Sequence, residues 1–131
     1  MNDSKKTGNL GEKLALEYMV SKGFKHIISN YHSRYGEIDI IFESSENIVF
    51  VEVKARKNYN FGRGIEAVNE QKRIKIIKTA FEYLLNHPSN KQPRFDVIEV
   101  WFCTKKVIHY ENAFTGDEYD AFFWFTLRYS L

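Results

Sequence analysis

The stretch GEIDIIFESSENIVFVEVKAR, residues 36–56, decides the fold. Two β-branched, apolar-rich runs flank Ser44, Ser45, Glu46 and Asn47, which are turn formers. A loop over those four residues makes a hairpin in which Glu43 faces Ile48. Counting outward from that pair sets Ile38, Ile40 and Phe42 across from Val53, Val51 and Val49, one wholly apolar face, and so supports the register. The other face pairs Ile41 with Phe50, Asp39 with Glu52, and Glu37 with Lys54.

Directly opposed residues hold their Cβ atoms about 5 Å apart, where two carboxylates repel by roughly 3 kcal/mol at an effective dielectric of about 20. Against a total stability of about 5–15 kcal/mol that is a large penalty. The arrangement asks for a cation between Asp39 and Glu52. Two carboxylates on a rigid platform suit Mg²⁺, with Mn²⁺ as a substitute, the remaining positions going to water and substrate phosphate. Lys54 follows Glu52 by two residues and shares its face, where an ammonium can hold water or neutralise a phosphate. The competing reading makes Asp39, Glu52 and Lys54 the solvated face of an amphipathic hairpin. Ile41 and Phe50 on the same face argue that this side is covered.

The bounds set by composition are ordinary. A chain of 131 residues makes one domain able to bury ~70% of its unfolded surface. The single Cys103 excludes an internal disulfide, and its place in an expected strand makes it a small apolar filler. With a polar N-terminus and no run long enough to span a membrane, the expectation is a cytoplasmic protein. Net charge is only +2, yet between Lys54 and Lys78 eight basic residues, among them Arg56, Lys57, Arg63 and Lys72, face two acidic ones. That segment carries +6 and the remainder −4. A basic flank beside an acidic site is the layout for holding a polyanion such as DNA. Lys75 and Lys78, taken singly, read as a solvated helix face.

Periodicity predicts a helix over about 9–22 with Leu10, Leu14, Tyr18, Ala15 and Met19 inward and Gly23 as its stop. A short strand over 24–32, the hairpin, a long helix over about 66–86, and strands at 94–103 and 107–111 complete the order. The fold class is α/β: a mixed sheet flanked by helices. Gln71 and Lys72 open the long helix on the side facing the hairpin, and Lys72 is a candidate phosphate contact. Tyr59, Asn60 and Arg63 are candidate DNA contacts from the loop.

GEK at 11–13, GEIDII at 36–41, VFVEVKAR at 49–56, the Lys72 helix and RFDVIEV at 94–100 resemble the YraN-like family of small bacterial proteins. That family is assigned to the restriction-endonuclease-like, PD-(D/E)XK superfamily and is compared with archaeal Holliday junction resolvases. The resemblance implies an αβββαβ core over residues 1–114 and a Mg²⁺-dependent endonuclease acting on DNA, branched or structured DNA included, that leaves a 5′-phosphate. Asp39 would be the motif aspartate and Glu52 and Lys54 the acid and lysine of the ExK pair. Glu12 would match the extra glutamate that resolvase-like members direct at the metal, although a first-turn acid is also favoured by the helix dipole. Arg56, Lys57, Arg63 and Lys72 would grip the backbone. Ile38 replaces the motif proline, which is not a ligand.

Residues 115–131 lie beyond the resemblance and are rich in aromatics, expected to pack on the domain or at a homodimer contact. Asp96 beside Arg94 reads as a local ion pair, and the four histidines show no ligand spacing. The alternative function is a nuclease-fold module that binds DNA for a partner without cutting. A metal-free protein-interaction domain would leave the opposed carboxylates unexplained.

Overall fold

The computed structural model describes residues 3–57 and 68–116. The elements run α1 (Asp3–Ser21), β1 (Lys25–Ser33), β2 (Gly36–Glu43), β3 (Asn47–Arg56), α2 (Glu70–Asn86), β4 (Gln92–Trp101) and β5 (Lys106–Phe114). This is the αβββαβ order of a restriction-endonuclease-like core with one further strand. The sheet order follows the chain, β1-β2-β3-β4-β5, and is antiparallel except for the parallel β3–β4 pair, which α2 connects.

Both faces are covered. On one, Ala15 and Met19 of α1 pack against Ile40, Phe42, Val49, Val51, Ile98 and Val100. On the other, Ile76, Ile77, Ala80 and Phe81 of α2 meet Ile41, Phe50, Phe95 and Val97. Burying a side chain of this size contributes about 1.5–3 kcal/mol, so each layer is held by several such terms. Leu10, expected inward on α1, is exposed, and buried Gly11 takes its place in the stripe with Ala15 and Met19. The helix stops where Gly23 adopts φ 96°, with Phe24 N–H donating to the Met19 carbonyl.

The hairpin turns over Ser44–Asn47 as its residues demand, the Ser44 hydroxyl accepting from Asn47 N–H at 3.1 Å. Its register holds for Glu43–Ile48, Phe42–Val49, Ile41–Phe50 and Ile40–Val51, and there the ladder ends. Beyond that point β2 pairs only with β1 and β3 only with β4. Ile38 accordingly joins the α2-side cluster, not the α1-side cluster of Ile40 and Phe42. The break coincides with Asn30, which lies between two β1–β2 pairs opposite Asp39 and has φ 55°, outside any strand geometry.

Two further expectations change. Helix α2 begins at Glu70, since Asn69 is extended and its side chain accepts from Lys72 N–H, an N-cap that stops the helix from starting earlier. Cys103 is exposed in the turn between β4 and β5, its thiol donating to the Lys57 carbonyl, so it fills no core space. Among the described residues no helix is long and apolar enough to cross a membrane.

Candidate metal and phosphate site

Asp39 and Glu52 sit where β2 and β3 part. At the opening the Asp39 Oδ2 accepts the Val53 N–H at 2.8 Å, so a side chain satisfies a backbone donor that the ended ladder leaves over. Glu52, on the central strand, is 5% exposed. Two ammonium groups converge on its Oε1: Lys72 Nζ at 2.6 Å and Lys54 Nζ at 3.6 Å. Lys54 gets there by strand alternation from Glu52, and Lys72 by the Asn69 cap, which sets the first turn of α2 against the sheet.

Helix α1 delivers Glu12 from the other side. A Cβ on Gly11 would lie 3.0 Å from the Ala55 Cβ, so only glycine lets the helix approach β3 this closely. Glu12 hydrogen-bonds the Asn30 side chain and lies within electrostatic range of Glu37 and Glu52.

These neighbours alter the acids and bases together. Burial, then the Glu52 charge, push the Asp39 carboxyl up to about 8. Burial raises Glu12 as well, opposed in part by its bond to Asn30. Lys54 is lowered by burial and by the adjacent Lys72 ammonium. For Lys72 burial acts downward, but Glu52 more than offsets it and the ammonium is raised. A carboxyl that keeps its proton beside a buried glutamate under two lysines, one of them weakened, is a group of the kind that gathers at functional sites.

The donor set suits a hard divalent cation. Among the described residues no three His, Cys, Asp or Glu side chains come together as a set that could hold a metal ion, so Glu12 does not complete a three-acid site with Asp39 and Glu52. Asp39 and Glu52 are, however, close enough for the charge of one to raise the other, and a pair of neighbouring carboxylates is the way Mg²⁺ is commonly held beside a phosphate. Cations are already drawn to Glu52, as Lys72 shows.

The other candidates are distributed as follows. Arg56 ends β3, paired in register with Trp101, and Lys57 is exposed just beyond it. Arg63, Tyr59 and Asn60 lie outside the described residues, as do the aromatics of 117–131. Asp96 is fully buried and belongs to Arg94, His109 and Asn112, away from Glu52. Sequence reasoning missed Asn30, whose left-handed φ is a conformation asparagine tolerates. It also missed Glu99, fully buried on β4 beside Lys54 in register and bonded by Trp101 Nε1 at 2.6 Å. Strand alternation with Phe95 and Val97 was the signal for Glu99 facing inward.

Comparison with known proteins agrees with the resemblance. A model described as uncharacterised protein family UPF0102, the YraN-like family, matches residues 11–100. A UPF0102 protein of Clostridioides difficile is 46% identical over 113 residues, 86% of this chain and 99% of that protein. One from Sulfurihydrogenibium is 43% identical over 114 residues, 86% and 97% of the two chains. Another, from Legionella pneumophila, is 40% identical over 109 residues, 82% and 92%.

Proposed function

We propose that this protein, which belongs to the UPF0102 family, is a metal-dependent endonuclease that hydrolyses phosphodiester bonds of DNA. The observation that carries the reading is Glu52, buried under the Lys54 and Lys72 ammoniums and facing an Asp39 that holds its proton to about pH 8. Mg²⁺ or Mn²⁺ would be held by Asp39 and Glu52 with Glu12 beside them, supplying Lewis-acid polarisation of a phosphoryl oxygen and a water of lowered pKa.

The remaining work falls to the chain's own residues. Asp39 would have to lose its proton to hold the metal, and its Oδ2 is fixed by Val53 N–H. Lys54, its pKa lowered, orients the attacking water or neutralises charge building on the phosphate. Lys72 reaches the same place from α2 and can move from Glu52 to a phosphate oxygen. Arg56 and Lys57 extend the positive side beyond the end of β3, and Arg63 belongs to the same basic segment.

One observation favours a second reading. Lys72 already neutralises Glu52 at 2.6 Å, which a DNA-binding module without cleavage would also show. Incubation of junction, flap, single-stranded and linear DNA with Mg²⁺ or Mn²⁺ separates the two. The nuclease reading expects cleavage leaving 5′-phosphate ends, lost in Asp39→Asn and reduced at least ~100-fold in Lys54→Ala, the scale of losing one stabilising donor. Binding without cleavage of any DNA in the panel establishes the module instead.

A further inference from the structure

Helix α2 carries Lys72, Lys75 and Lys78 three residues apart, a row along its surface of which only the first meets Glu52. The row leads to the turn between β1 and β2. There Ser33 Oγ bonds Thr79 Oγ1 at 3.2 Å, and Gly36, at φ 154°, lets the backbone lie close to Lys75, whose Cβ would be 3.4 Å from a Cβ on that glycine. This docking puts Arg34 and Tyr35 beside the row. The Arg34 guanidinium lies 4.9 Å from the Tyr35 ring centroid and donates to its hydroxyl at 2.8 Å, and Lys78 Nζ stands 5.9 Å from the same centroid. Arg34 and Lys75 are both exposed. The nearby acids bound the row: Glu37 pairs with His32 at 3.3 Å, and Glu82 lies one turn past Lys78.

We propose that Arg34, Tyr35, Lys75 and Lys78 form a surface that holds the sugar-phosphate backbone of the DNA leading away from the Asp39–Glu52 site. The proposal rests on the nuclease reading of that site and adds the path of its substrate. Lys72 to Lys78 covers ~9 Å of helix, close to the rise of three nucleotides of one duplex strand. The occupant is backbone and not bases, because Tyr35 serves as a platform for two cations and the row offers ammonium and guanidinium groups alone, which read charge and not sequence.

The test is fluorescence anisotropy with labelled duplex DNA in EDTA, from 50 to 200 mM salt, on wild type, Arg34→Ala with Lys75→Ala, and a control Lys105→Ala with Lys106→Ala at the exposed end of the β4–β5 turn and start of β5. The proposal expects the first double variant to bind more weakly and to flatten the salt dependence by about two ion-release units, with the control near wild type. Tyr35→Ala should weaken binding and Tyr35→Phe, which keeps the ring, should largely restore it. Replacing the DNA phosphates by neutral methylphosphonates should shrink the difference between wild type and the double variant. An unchanged slope in Arg34→Ala with Lys75→Ala, or an equal loss in the control, overturns the surface while leaving the site reading intact. If wild type binds no DNA at any salt, the surface falls, and the nuclease reading falls with it only where the Mg²⁺ and Mn²⁺ panel also shows no cleavage.

Discussion

Asp39 serves two neighbours with one carboxylate, holding Val53 N–H through Oδ2 while facing Glu52 across the opened hairpin. The roughly 3 kcal/mol repulsion expected from two bare charges is avoided by protonating Asp39 and placing two lysines on Glu52. This fixes a sign. In the unfolded chain an aspartate ionises near pH 4, whereas in the folded protein Asp39 keeps its proton to about pH 8. The folded state therefore binds the extra proton between those values, and its contribution is lost as pH rises through the folded pKa. Asp39→Asn keeps an acceptor for Val53 and does not titrate. In thermal melts with EDTA its stability relative to wild type should rise from pH 5 to pH 9, by on the order of 5 °C. A difference that stays flat over that range would mean that Asp39 is ionised in the folded protein and that the lysines balance both acids.

Among the elements, α1 and β3 meet at the closest tolerance. Gly11 against Ala55 allows the helix to dock and places Glu12 at the mouth of the site. Gly11→Ala should cost about 1–3 kcal/mol by overpacking, and Ala55→Gly in the same molecule should recover part of it. Urea denaturation measures the stability. Titration calorimetry with Mn²⁺ should show weaker binding in Gly11→Ala and recovery in the double variant, if the helix position matters to the site. Full recovery of stability with no change in Mn²⁺ affinity at any step would confine Gly11 to packing. The strand pairing behind this contact was legible from alternation and turn residues, because both act locally. The start of α2 was misread by a few residues because apolar periodicity says nothing about a cap, although Asn69 followed by Glu70 carried the signal.

Across the whole molecule, β4 and β5 are tied to each other by Asp96, whose strand also borders Glu52. Arg94 donates to both its oxygens at 2.9 and 2.8 Å, His109 Nε2 lies 2.6 Å from Oδ2, and Asn112 N–H donates at 3.0 Å. His109 in turn meets Tyr18 of α1 edge-on, so β4, β5 and α1 are joined through one buried carboxylate. Burial alone would raise Asp96, but His109 and Arg94 outweigh it and hold the group below its ordinary value. For an acid shifted down, the stability is present above the unfolded pKa near 4 and is lost as pH falls through the folded one. Asp96→Asn should cost about 3–5 kcal/mol at pH 7, the scale of breaking a buried pair, and less at pH 3, as read by urea denaturation at both values. An equal loss at the two pH values would show that its charge contributes nothing.

The sequence by itself determined the strand register from Glu43–Ile48 to Ile40–Val51, the αβββαβ order and the chemical types gathered at the site, since alternation, turn propensity and residue spacing are properties of neighbours along the chain. Only the tertiary structure decided that the ladder ends before Asp39, that Ile38 changes cluster, that Lys72 lies on Glu52 and that Cys103 is exposed. Lys72 and Glu52 are brought together by a capped helix crossing over the sheet, and Asp39 is released from its expected pairing beside an irregular Asn30 on another strand. Such outcomes depend on how far side chains reach across packed elements, a distance that no spacing along the chain encodes.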